Sequence, residues 1–243
     1  MLGILRVIFV LPLFILICII GSLISLVRPF HRNNTYLVAQ LFSKLAPLIG
    51  IKLIVRVPKH LTATPKIIIA NHQSNYDVIT IAGGVTPGVV SVGKQSLKWI
   101  PLFGQLYWLS GNIFIDRSNK TRAKTTMAQL LNRMKKSNLS IWMFPEGTRS
   151  KGRGLLPFKM GAFHIALQAK VPILPIVSSS IDSFSINRWN NGHAIVESIE
   201  LIETENFDDT QVREIAKIAH AKMLQRIQEL DAEVAELNLK QSN

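Results

Sequence analysis

The chain has 243 residues, enough for one sizeable core, with 48% hydrophobic residues and a formal net charge of +13. The single cysteine, Cys18, excludes an internal disulfide and a thiolate cage for a metal, and the six histidines form no close pair at ligand spacing. The charge is lopsided: residues 1–199 hold 23 Lys and Arg against five acids, whereas residues 200–243 hold five bases and ten acids. Such a body attracts polyanions: anionic lipid, an acidic carrier protein or nucleic acid. None of the familiar nucleic-acid-binding motifs is present, so nucleic acid is not expected as a partner.

Val7 to Val27 is a run of 21 uncharged residues, about 31 Å as a helix and enough to reach across a hydrocarbon core. Arg6 precedes it, Arg28 and Arg32 follow, and no Ala-x-Ala site closes it, which favours a retained anchor over a cleaved signal. Leu37, Val38, Leu41, Phe42, Leu45, Leu48 and Ile49 then form a helical stripe suited to the membrane interface. These segments fit one span plus an amphipathic helix. They fit equally a hairpin dipping into one leaflet, with Pro12 bending the first limb. Either arrangement leaves the basic body on the cytoplasmic face.

From residue 51 strands and helices alternate. Strands are predicted at Ile51–Val57, Lys66–Ala70, Val89–Val92, Asn112–Asp116, Ser140–Phe144, Ile173–Val177 and Ala194–Ile199. Helices are predicted at Asp77–Gly83, Arg122–Lys136, Lys159–Ala169 and Gln211–Leu237. The expectation is an α/β fold: a mixed, largely parallel sheet flanked by helices. Residues 1–50 read as a membrane-anchoring helical pair and residues 51–243 as one α/β domain that includes the C-terminal helix. That last helix has Val212, Ile215, Ala219, Met223, Ile227 and Leu230 at core-packing spacing, and a dimer seam is the alternative.

Two motifs carry chemistry. In Asn71-His-Gln-Ser-Asn-Tyr-Asp77, His72 falls in the turn after a strand and Asp77 in the first turn of the next element. So placed, Asp77 can fix the imidazole tautomer while the other nitrogen takes a proton from an alcohol. A helix-capping role for Ser74 and Asp77 explains the same residues without catalysis. The second motif, Phe144-Pro-Glu-Gly-Thr-Arg-Ser150, follows a buried strand and presents Glu146, Gly147, Thr148 and Arg149 at its carboxyl end, where open α/β sheets bind ligands. Arg149 can clamp a phosphate, and Glu146 can orient that guanidinium or meet a glycerol hydroxyl. Arg117, ending the block Gly111–Arg117, and Lys94, after the third strand, are further candidate cations, although Arg117 can also pair with Asp116. No Gly-x-Ser-x-Gly elbow occurs, which disfavours a lipase-type mechanism.

These blocks, together with Ser91-Val-Gly-Lys94, Leu97…Pro101…Gly104, Phe158-Lys-Met-Gly-Ala162 and Val171-Pro-Ile-Leu-Pro-Ile176, follow one another in the order and spacing of a known family. The chain resembles the bacterial lysophosphatidate acyltransferases over nearly its whole length. The resemblance implies transfer of a fatty acyl group to the 2-hydroxyl of 1-acyl-sn-glycerol 3-phosphate, forming phosphatidate for phospholipid biosynthesis. It implies His72 as general base, Asp77 as its partner, and Arg117, Glu146, Gly147 and Arg149 at the glycerophosphate. It implies no cofactor: acyl carrier protein or coenzyme A would bring the acyl thioester. The setting it implies is the cytoplasmic face of the bacterial inner membrane, on an anionic surface.

Overall fold

The computed structural model describes residues 1–58 and 64–242. Seven strands form one sheet: β1 (Lys52–Arg56), β2 (Ile67–Ala70), β3 (Val89–Lys94), β4 (Ile113–Ile115), β5 (Ser140–Met143), β6 (Ile173–Ser178) and β7 (His193–Ser198). Their order is β1-β7-β6-β2-β5-β3-β4. The five strands from β6 to β4 run parallel. β7 lies antiparallel to β6 and carries β1 parallel beside it. The sheet is therefore mixed and largely parallel, as the alternation of elements predicts.

Every residue of β2, β5 and β6 is buried, the pattern of strands covered on both faces. Alternation sorts their side chains. Ile67, Ile69, Val90, Val92, Ile141 and Met143 point to one face. There they meet Leu130 and Met134 of α4 (Lys120–Ser137), Phe163 of α5 (Gly161–Ala169) and Met223 of α6 (Val212–Ser242). Ile68, Ala70, Val89 and Trp142 point to the other face, beneath Ile81. On that second side lie α1 (Leu2–Val27), α2 (Asn34–Ser43) and α3 (Phe103–Leu109). The core-packing face expected of α6 is thus present, with Ile215, Ala219, Met223 and Leu230 fully inside.

Two local expectations give way. Residues 77–83 do not form an α-helix; two 3-10 turns, Asn75–Val78 and Ile81–Gly84, replace it. Asp77 turns back to bond the backbone of Gln73 and Ser74, and the Gly83–Gly84 pair ends the second turn, so no longer ladder grows. Much of the stripe expected to lie on lipid faces inward: Phe42, Leu45 and Ile49 are buried against Cys18 and Leu106, Leu48 stays exposed, and Pro47 breaks the segment into α2 and a 3-10 turn. The short α3 had no periodic signal of its own.

α1 is long and apolar enough to cross a membrane, and its exposed side is a row including Ile4, Ile8, Phe9, Leu16, Leu23 and Leu26. Its other side packs on α2 and α3. Arg6, which precedes the apolar run in the sequence, lies inside α1 and is 6% exposed. Its guanidinium donates to the carbonyls of Ile186 at 2.9 Å, Arg188 at 2.5 Å and Trp189 at 2.8 Å. A charge taken out of water needs such partners.

Candidate active site

β2 ends at Ala70, and the chain turns at His72 over the carboxyl end of the sheet. His72 Nδ1 lies 2.5 Å from Asp77 Oδ2. A carboxylate can only accept, so the proton sits on Nδ1 in the neutral ring and Nε2 is left with a lone pair. Nε2 has no hydrogen-bond partner among the described residues, and His72 lines a large cavity. The ring stacks on Phe144 with centroids 4.2 Å apart. Asp77 Oδ2 also accepts from the backbone N–H of Gln73 at 2.7 Å and Ser74 at 3.2 Å, and Ser74 Oγ accepts from Tyr76 N. Asp77 thus closes the capping box and bonds the imidazole in one geometry.

The second motif is zipped to the first. Ser150 N donates to His72 O at 2.8 Å and Lys151 N to Gln73 O at 3.0 Å. Glu146 is 3% exposed and does not border the large cavity; it faces a small polar void beside Asn71, Gln73 and Ser150. Its two oxygens accept from His72 N at 2.6 Å and Leu156 N at 3.0 Å. In this geometry the carboxylate is a strut under the histidine turn, and no guanidinium bonds it among the described residues. Burial pushes the Glu146 carboxyl above the ordinary range, against those two hydrogen bonds.

The remaining expected residues, Lys94, Arg117, Gly147, Thr148 and Arg149, all border the cavity with His72 and Asp77. Arg117, exposed at the rim, donates from Nη1 to Gly147 O at 2.6 Å, and partial desolvation draws its guanidinium below the usual value. The alternative pairing with Asp116 does not form: Asp116 bonds Ser118 and Arg122, and those contacts lower its pKa. Arg149 Nε is buried without a partner among the described residues. Gly147 has φ +70°, and a Cβ there would lie 2.8 Å from Lys159 Nζ. Lys159 also borders the cavity. It is a cation that sequence reasoning passed over, since a lone lysine before a helix carries no signal of which loop it will lean on.

Asn71 and Gln73 were likewise without assigned roles. Asn71 exchanges two hydrogen bonds with Ser178, at 2.9 and 2.8 Å. Gln73 donates to Ser179 O at 2.8 Å and accepts from Ile181 N at 3.0 Å. They lash the histidine turn to the end of β6. The cavity itself encloses about 720 Å³, and its lining joins the cations and His72 with apolar residues including Val38, Phe42, Ile81, Val89 and Leu106. A base, a cluster of cations and an apolar lining in one cavity suit an amphiphile with an anionic head.

Comparison with known proteins agrees with this chemistry. A family model described as acyltransferase matches residues 52–179. The 1-acyl-sn-glycerol-3-phosphate acyltransferase of Haemophilus influenzae is 50% identical over 240 residues, covering 98% of this chain and all of its own. That of Escherichia coli K12 is 49% identical over 238 residues, 97% of either chain. The human beta form is 34% identical over 210 residues, 84% of this chain and 76% of its own. The fold is similar to the crystal structure of the 1-acyl-sn-glycerophosphate (LPA) acyltransferase PlsC from Thermotoga maritima, with TM-score 0.72, 23% identity and 95% of both chains covered. On these grounds the chain belongs to the 1-acyl-sn-glycerol-3-phosphate acyltransferase family.

Proposed function

We propose that the chain moves a fatty acyl group from a thioester to the 2-hydroxyl of 1-acyl-sn-glycerol 3-phosphate, giving phosphatidate and a free thiol. The observation that carries this reading is His72 Nε2, oriented through Nδ1 by Asp77 and opening onto the same cavity as Arg117, Arg149 and Lys159. Nε2 takes the proton of the 2-hydroxyl as its oxygen attacks the thioester carbon. The C–S bond then breaks, and the imidazolium returns the proton to the sulfur. A thiol of pKa about 8.5 leaves readily, so no covalent enzyme intermediate is needed. Arg149, whose Nε is unpaired among the described residues, and Lys159 carry the phosphate; Arg117 and Lys94 complete the cationic rim. The apolar lining takes an acyl chain, and the basic body accepts either carrier, an acidic acyl carrier protein or coenzyme A. No cofactor enters these steps.

In this reading residues 1–50 are the membrane anchor of an acyltransferase domain spanning 51–243. α1 is tied to the body near both ends, by Gly3 N to Asn187 Oδ1 at 2.8 Å and by Phe30 N to Leu109 O at 3.0 Å. That supports a helix lying beside the body in the cytoplasmic leaflet of the inner membrane rather than one carrying its start to the far side.

The test is product analysis with detergent-solubilised protein, labelled acyl thioester and lysophosphatidate, with His72→Ala alongside. Labelled phosphatidate from the native chain and none from the variant is expected. Free fatty acid as the sole product would replace the transferase with a hydrolase, and equal turnover by the variant would remove His72 from the mechanism.

A further inference from the structure

The lone charge of α1 is held by backbone carbonyls of the loop between β6 and β7, and no carboxylate pairs with it among the described residues. The site is shaped for it. Gly50 has φ +78°, and a Cβ at that position would lie 2.6 Å from Arg6 Nη2 and collide with the carbonyl of Trp189. Asn191 fastens the same loop to the end of the anchor segment, donating from N to Gly50 O at 2.7 Å and from Nδ2 to Ile49 O at 2.8 Å. Its Oδ1 accepts from Ser185 N at 2.9 Å.

The other end of that loop touches the catalytic turn. Ile181 N donates to Gln73 Oε1 at 3.0 Å, and the Phe184 ring packs on Tyr76 with centroids 4.1 Å apart. Gln73 N in turn donates to Asp77 Oδ2, the atom that holds His72 Nδ1. A continuous line of contacts thus runs from Arg6 through residues 186–189 to Phe184 and Ile181, then to Tyr76, Gln73 and the His72–Asp77 pair.

We propose that Arg6 is a positioning residue for the acyl transfer: it seats α1 on the 181–191 loop and through that loop fixes the His72–Asp77 geometry. The anchor is then part of the active-site scaffold as well as a tether, and turnover requires α1 to be docked. This rests on the reading of His72 as the base. Three carbonyls around one guanidinium form a socket that a thioether cannot fill and a lysine ammonium fills in part.

The experiment compares full-length Arg6→Met, Arg6→Lys, Phe184→Leu and the Arg6→Met/Phe184→Leu double variant in mixed micelles. It measures kcat, KM for lysophosphatidate, sedimentation with anionic vesicles, and amide hydrogen exchange over residues 72–80. Arg6→Met is expected to lower kcat about tenfold with KM and vesicle binding within about twofold of the native values. Arg6→Lys regains part of that loss. Exchange at Gln73 and Ser74, whose N–H groups bond Asp77, quickens about tenfold in Arg6→Met. The double variant loses less than the product of the single losses, because both changes cut one line. Native kcat in Arg6→Met, a loss that follows vesicle binding, or strictly multiplicative losses would each overturn the proposal. Should Arg6→Met fail to fold, Arg6→Lys and Phe184→Leu decide it: both must lose kcat and exchange faster at Gln73. If the native chain makes no phosphatidate, the functional reading fails, and the exchange rates still judge the seating of the turn.

Discussion

Glutamine at position 146 keeps the shape of the native side chain and replaces one acceptor by a donor. In the native chain both carboxylate oxygens are occupied, by His72 N at 2.6 Å and Leu156 N at 3.0 Å, and the residue is 3% exposed. The amide satisfies one of these backbone groups and turns an N–H toward the other. A buried donor left unpaired costs about 1–3 kcal/mol. For a chain of this size, at roughly 2–4 °C per kcal/mol, that lowers Tm by about 2–12 °C. The catalytic effect is separate. A displacement of about 1 Å in the turn bearing the base can cost about a hundredfold in rate. Glu146→Gln should therefore lower kcat by about 10- to 100-fold while KM for lysophosphatidate stays within about threefold. Steady-state kinetics in mixed micelles with a labelled acyl thioester, beside a thermal melt, reads both numbers. A KM raised tenfold with kcat intact would refute the strut and return Glu146 to the glycerophosphate.

Asp77→Asn removes the charge that fixes the imidazole tautomer, and kcat for phosphatidate formation should fall by roughly 10²–10⁴ with little change in KM. Arg149→Met deletes the guanidinium whose Nε is unpaired among the described residues; KM for lysophosphatidate should rise about tenfold or more, and inhibition by inorganic phosphate should weaken in step. Gly147→Ala forces a Cβ onto a φ of +70° beside Lys159, which should cost about 1–2 kcal/mol in a urea melt and raise KM through the displaced lysine. The Glu146 carboxyl titrates above its ordinary value because it is buried. Its contribution to stability is full below the unfolded pKa near about 4.3 and is lost as pH rises through the higher folded value, so Glu146→Gln should flatten that part of the Tm–pH curve.

Most strands were legible because they are short runs rich in β-branched residues bounded by turn residues, and in β2, β5 and β6 burial on both faces gives one continuous apolar signal. What the runs do not encode is direction: nothing in His193–Ser198 says that β7 opposes β6 while pairing parallel with β1. The helix predicted over residues 77–83 failed because side-chain bonding by Asp77 competes with the backbone ladder, a contest that periodicity does not see. The stripe of α2 illustrates a second limit. An apolar face at helical spacing is the same whether lipid or protein covers it, and here Phe42 and Ile49 meet protein. At the site, the types and spacing of His72 and Asp77 were enough, since five residues across one turn leave few ways to meet. The direction of Glu146 was not, because an acid in a sharp turn can point into the cleft or under it with equal local cost. Arg6 read as a flanking charge because its partners are backbone carbonyls, which every loop possesses.

β1 is made early and paired late. Lys52 lies opposite His193 and Arg56 opposite Glu197, so its ladder awaits about 140 further residues. At a synthesis rate of about 5–20 residues per second that is roughly 7–28 s, during which an apolar strand has no neighbour to bond. Lys52 and Arg56, a charge at either end, are the kind of residue that discourages such an edge from joining another chain. Arg56 later closes on Glu197 and on Glu233 of α6. A ribosome that stops before β7 therefore releases a chain with every catalytic motif present, all of them before residue 160, and with the outer strand of its sheet exposed. Such a copy also lacks α6, so the face of the sheet that Ile215, Met223 and Leu230 cover is bare as well.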